Sequence, residues 1–126
     1  MPKNVIIKRD VIDGLLGYCN NLHPREAILL VRGKNLKNEI QINTLVIPPL
    51  PVHSETYTSF PIHMLPIDPS ILGTAHSHPN GVLKPSLEDL NNYFGRVMLI
   101  IGFPYLSKKD IEVFDREGKR AKFTVK

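Results

Sequence analysis

The sequence predicts a single α/β domain, a mixed β-sheet with two main helices packed on it. Three observations predict it. Short runs rich in Val, Ile and Leu recur along all 126 residues. Just two stretches carry apolar residues at helical spacing, and Gly-, Pro- and Asn-rich turns separate the segments. The length suits one compact domain. A hydrophobic fraction of 42% with 22% charged residues is enough to build a core, which excludes a disordered chain.

Asn4 to Lys8 is β-prone. A helix follows from about Val11 to Asn20, with Asp10 as its expected cap and Ile12, Leu15, Leu16 and Cys19 on one face. Cys19 on that stripe reads as a buried thiol. Ala27 to Val31 is a continuous apolar run, the pattern of a buried strand, and Arg32-Gly33-Lys34-Asn35 reads as its turn. Ile40 to Ile47 is the next strand. Residues 48–69 hold six of the eleven prolines around a polar centre, which is too proline-rich for a central strand. Ile71 to His78 is a strand ending in the turn Pro79-Asn80-Gly81. Ser86 to Phe94 reads as the second helix, burying Leu87, Leu90, Tyr93 and Phe94, with Gly95 as a left-handed cap. Val97 to Phe103, Ile111 to Phe114 and Ala121 to Val125 complete the sheet, the last with Ala121, Phe123 and Val125 on one side.

The longest apolar run, Val97 to Phe103, is far short of the ~20 residues that cross a bilayer, and the N-terminus lacks a secretory apolar core. One cysteine cannot form an internal disulfide. The expected setting is the cytoplasm, with no membrane partner. The net charge of +4 gathers near the C-terminus, but there Lys and Arg alternate with Asp and Glu, and no recognition motif accompanies them. Nucleic acid is therefore not expected as a partner. Lys and Arg are absent from residues 38–83, which suggests an acidic cleft suited to a basic tail.

The chemistry concentrates in Thr74 to Asp89. His76 and His78 alternate on a strand, so both rings leave one face with backbones ~7 Å apart. Two imidazoles at that separation can converge on one cation, although paired histidines also occur on solvated strand faces. Pro79 holds His78 extended and ends the strand. Ser86-Leu-Glu-Asp89 reads as a capping box with Asp in place of Glu, which needs no function to explain it. That spacing also sets the Ser86 hydroxyl and the Asp89 carboxylate on one helical face, beside the histidines. Ser77 should point to the opposite face of the strand. His23, His53 and His63 match no ligand position, and Glu88 reads as a favourable charge at a helix N-terminus.

The pattern His76-Ser-His78-Pro79, then Ser86 and Asp89, resembles the signature of the JAMM (MPN-plus) metalloproteases. His23-Pro-Arg-Glu26, just before a buried strand, looks like that family's upstream glutamate, and the likeness runs over nearly the whole chain. It implies the MPN, cytidine-deaminase-like architecture. It also implies that His76, His78 and Asp89 bind one Zn²⁺. Glu26 would hold and deprotonate a water, and Ser86 would stabilise the oxyanion. Without the downstream motif, Glu26 would read as a solvated carboxylate at a strand edge. The implied reaction is hydrolysis of an isopeptide or peptide bond after the C-terminal Gly-Gly of a ubiquitin-like protein. The segment Glu55, Thr56, Tyr57, Thr58 and Ser59 stands where small members carry a substrate-contacting insertion. No room remains between Tyr93 and Val97 for a second insertion, which argues against strong linkage selectivity. The resemblance also allows a homodimer, since such domains often pair.

Three other readings compete. One is an inactive scaffold of the same fold, against which the intact motif residues speak. Another is a peptidase that processes C-termini or adducts of sulfur-carrier proteins. The third is a non-haem iron oxygenase, which also uses two histidines and a carboxylate but leaves Ser86 and Glu26 unexplained.

Overall fold

The computed structural model describes residues 3–48, 68–91 and 93–126. The strands are β1 (Asn4–Ile7), β2 (Ile28–Asn35), β3 (Glu39–Val46), β4 (Ile71–His78), β5 (Val97–Gly102), β6 (Ile111–Phe114), β7 (Arg120–Ala121) and β8 (Phe123–Val125), and the helices are α1 (Arg9–Leu22) and α2 (Leu87–Asn91). All eight strands join one sheet in the order β7-β6-β5-β4-β2-β3-β1-β8. Pairs β1–β3, β1–β8 and β4–β5 are parallel and the others antiparallel, so the sheet is mixed as expected.

Its curvature was not foreseen. The expected strand 121–125 is two strands at opposite ends of the sheet, β7 on β6 and β8 on β1, with Lys122 alone between them. One residue spans only ~3.8 Å, so the two edges must meet. The sheet curls almost into a barrel rather than lying open between two helices.

Helix α1 fills the concave side. Val11, Ile12, Leu15 and Cys19 pack there against Val5, Ile7, Ile42, Leu99, Ile101 and Val113. Each fully buried Val, Ile or Leu contributes about 1.5–3 kcal/mol. The helix starts earlier than expected, with Lys8 as N-cap and no side-chain capping bond. Asp10 lies inside the first turn instead, where its charge meets the positive end of the helix dipole. Burial pushes the Cys19 thiol up to about 12, so it stays protonated.

Strand β2 runs on through Arg32 to Asn35, where a turn was expected, with a bulge between Arg32 and Gly33. Gly33 reads as a turn residue but serves as a close-approach residue: a Cβ there would sit 1.7 Å from the Gln41 carbonyl oxygen. Gly95 has the positive φ expected of it, 84°. Its reason is again crowding, because a Cβ would lie 2.4 Å from the Leu72 oxygen.

The second helix is much shorter than expected. It has five residues and buries none of them, and Leu87 is 76% exposed. On this convex side a small cluster of Met98, Ile100 and Phe114, joined by Leu83 and Tyr93, replaces the broad helix contact. Among the described residues no helix is long and apolar enough to cross a membrane.

Candidate metal centre

Strand alternation sends Ala75 and Ser77 of β4 to the concave face and Thr74, His76 and His78 to the convex one. The register confirms the sorting, since Thr74 pairs with Met98 and His76 with Ile100, both of the convex cluster. The two histidines thus stand at the C-terminal end of β4, beside α2.

Residues 86–89 form the capping box that their sequence spells. The Asp89 N–H donates to Ser86 Oγ at 3.0 Å, and the Ser86 N–H donates to Asp89 Oδ2 at 2.9 Å. This pair fixes the carboxylate over β4. His78 Nε2 lies 2.9 Å from Asp89 Oδ2, and His76 Nδ1 lies 3.7 Å from Asp89 Oδ1. The Ser86 hydroxyl accepts in the cap, and its own O–H remains a donor.

The two rings differ electrically. His76 is almost fully buried, and burial lowers its pKa to about 4, with the Asp89 charge acting the other way. It is therefore neutral at pH 7, a lone-pair donor. His78 is half-buried; burial acts downward, but the bonds to Asp89 and to the Val82 carbonyl win and raise it. Its Nδ1 donates to the Val82 oxygen at 2.8 Å, so its Nε2 is the nitrogen turned to Asp89. Burial acts to raise Asp89, yet the bonds from His78 and the Ser86 N–H and the nearby imidazoles bring it to about 2.

Two imidazoles and a carboxylate are donor types that suit a divalent cation, and Asp89 lies within 2.9 Å of one ring and 3.7 Å of the other. The backbone bond on His78 Nδ1 is the outer contact that orients an imidazole ligand. Asp89 pairs with both rings, and among the described residues no group of three His, Cys, Asp or Glu is arranged to hold a metal ion.

Glu26 precedes β2 and is exposed. Ile28 pairs with His76 in an antiparallel ladder, and extending that register by two residues sets Glu26 opposite His78 on the same face. Its charge contributes to the upward pull on His78. Ser77 turns away from the histidines, as its place in the strand requires, and its buried Oγ accepts from the Ala27 N–H at 2.6 Å. His23 lies outside the donor set and stacks on Phe103 with ring centroids 4.6 Å apart. Residues 55–59, His53 and His63 fall outside the described residues. Sequence reasoning missed Thr74, whose Oγ1 lies 3.0 Å from His76 Nε2; the i, i+2 alternation that flagged the histidines pointed to it too.

Comparison with known proteins identifies the family. The family described as prokaryotic homologs of the JAB domain matches residues 8–117, a span that includes Glu26, His76, His78, Ser86 and Asp89. A probable metalloprotease of Haloferax volcanii is 35% identical over 122 residues, covering 90% of this chain and 74% of the relative. The JAB1/MPN domain protein of Archaeoglobus fulgidus superposes with a TM-score of 0.69 at 27% identity, over 94% of this chain and 96% of that one. A structure described as a JAMM metalloprotease-like zinc site in the proteasome and signalosome superposes with a TM-score of 0.71 over 98% and 99% of the two chains; at 24% identity it speaks for the fold. This chain belongs to the prokaryotic JAB-domain branch of the JAMM/MPN family.

Proposed function

We propose that this protein is a zinc-dependent peptidase or isopeptidase that cuts after the C-terminal Gly-Gly of a ubiquitin-like or sulfur-carrier protein. The observation that carries the reading is the meeting of His76, His78 and Asp89 at hydrogen-bonding to near-contact distance, with His78 Nδ1 tied to a backbone carbonyl. The 35% identical probable metalloprotease of Haloferax volcanii supports the hydrolytic class.

His76, His78 and Asp89 would hold the ion, which when bound lowers the pKa of a coordinated water to about 7 and polarises a carbonyl. His76 is ready as a neutral ligand at pH 7, whereas the contacts of His78 with Asp89 and the Val82 carbonyl favour its protonated form more than in free imidazole. Glu26, across the ladder from His78, takes the proton from the attacking water and delivers it to the leaving amine. A proton carrier of this kind is commonly worth about 10²–10⁴-fold. The Ser86 O–H donates to the negative charge growing on the scissile carbonyl oxygen, a contribution of about 2.7–4 kcal/mol.

A diglycine tail suits a cleft too narrow for side chains. An extended tail would ordinarily add to a sheet edge, but the outer strands here are the two- and three-residue β7 and β8, which run into each other. That favours Glu55 to Ser59 as the partner of the substrate tail. Deleting their polar centre should raise KM for a protein substrate, and unchanged kinetics would remove the idea.

The test is incubation with a diglycine-linked conjugate, comparing zinc-loaded wild type, Glu26→Gln and a chelated sample. Cleavage by the first alone is expected, and equal cleavage by all three overturns the reading. Elemental analysis of protein purified without added metal should find zinc; stoichiometric iron without hydrolysis would favour the oxygenase.

A further inference from the structure

Ser77 sits between the two histidines in sequence yet faces the other way, and the mechanism above leaves it without a task. On the concave face it is fully buried, and it makes an unusual end to the β2–β4 ladder. Its N–H donates to the Ala27 carbonyl at 3.0 Å, and its hydroxyl, in place of a carbonyl, accepts the Ala27 N–H at 2.6 Å. Ala27 is the residue after Glu26 and is itself buried. Behind Ser77 stands Tyr105, buried and at φ 59°. Its hydroxyl lies 3.0 Å from His23 Nδ1, and Phe103 stacks on His23 and meets Tyr105 edge-on. Burial pushes the Tyr105 phenol up, with the Ser77 hydroxyl acting against that and the Glu26 charge adding to it.

We propose that Ser77 is a positioning residue: by gripping the Ala27 N–H it fixes the backbone that holds Glu26 opposite His78. The two bonds close a ring between Ser77 and Ala27, so the residue next to Glu26 is held at both its N–H and its C=O. The two faces of β4 thereby share one task. His76 and His78 face the cation on one side, and Ser77 between them sets the proton carrier from the other. Because β4 is a single rigid strand, the distance from Glu26 to the ligands is held by the strand that bears them.

The inference rests on Glu26 being the proton carrier. The probe is a ubiquitin-like protein ending in Gly-Gly, joined by an amide to a fluorogenic amine. Ser77→Ala should lower kcat about 10–100-fold, the usual cost of losing an outer partner, with KM within twofold and zinc content unchanged. Ser77→Thr, which keeps the oxygen, should recover most of kcat. In a Glu26→Gln background Ser77→Ala should cost nothing more, because both act through one carboxylate. Independently of turnover, the Ala27 amide in Ser77→Ala should exchange with deuterium at least tenfold faster while β2 and β4 keep their protection. Wild-type kcat, lost zinc, an additive double variant or an unchanged Ala27 exchange rate would each overturn the proposal. If Ser77→Ala fails to fold, Ser77→Cys, which swaps the oxygen for a weaker acceptor, takes its place; a several-fold lower kcat at constant KM is expected, and wild-type kcat refutes it. An active Glu26→Gln sinks the general-base reading and this inference together. An inactive Glu26→Gln beside a fully active Ser77→Ala sinks this one alone.

Discussion

The concave and convex faces of the sheet are built on opposite terms. The concave face meets a 14-residue helix whose Val11, Ile12, Leu15 and Cys19 are all buried, and its core is almost wholly apolar. The convex face meets a five-residue helix that buries nothing. There the contacts are polar: a capping box, two imidazoles and a carboxylate. The contrast teaches that most of the packing and most of the polar groups fall on different sides of the same strands, with Ser77 the exception. A thick helix on the convex face would bury the histidines beyond a substrate's reach.

That division can be broken by substitution. The largest effect is expected at Asp89, which serves both cap and donor set. Asp89→Ala should abolish metal binding and hydrolysis, with an added loss of about 0.5–2 kcal/mol from the cap. Asp89→Asn should still lose the metal while keeping most of the stability. Calorimetric metal titration beside thermal melts separates the two. On the concave face Leu15→Ala should cost about 2–5 kcal/mol of stability and leave kcat/KM unchanged well below the melting range. A drop in kcat/KM there would mean the faces are not independent.

Acidity should sharpen the contrast, because the convex face alone holds the shifted histidines. The unfolded chain binds a proton at His76 near pH 6.5, while the folded one resists until about 4. Stability of the metal-free protein should therefore fall as pH drops from 6.5 to 4, by about 3 kcal/mol from this group. His78 has the opposite sign: its raised pKa adds stability below 6.5, which is lost as pH rises through its folded value. Asp89 adds stability above 3.8, lost as pH falls towards about 2. Metal-free unfolding by denaturant should be most difficult near pH 6.5, and His76→Gln should flatten the acid limb. The smallest effect is expected for Leu87→Ala in α2, within about 0.5 kcal/mol, since that side chain is 76% exposed. A cost like that of Leu15→Ala would show a packed second helix after all.

Legibility followed range along the chain. His76, His78, Ser86 and Asp89 lie within fourteen residues, so strand period and cap spacing bring them together without any knowledge of the fold. Glu26 needs the β2–β4 register, which no local pattern in residues 23–31 encodes. Leu87 and Leu90 carried a helical spacing that suggested burial, but spacing says which side they share, not whether anything covers it. Arg32 to Asn35 looked like a turn because Gly33 usually marks one, and a strand crowded against Gln41 demands glycine as well. The Ala27–Ser77 and His23–Tyr105 contacts join residues 50 and 82 positions apart, beyond any reading by period or motif.

Lys122 gives the curled sheet its last consequence. The Val5 N–H donates to the Lys122 oxygen, the Arg9 N–H to the Lys126 oxygen, and the Lys126 N–H to the Ile7 oxygen. The tail is thus a clasp whose two halves hold opposite rims of one surface. Undoing it would bare β1 and β6 at once, two unpaired ribbons on one molecule, each able to recruit a neighbour. The seam at Lys122 keeps both ribbons paired within one molecule.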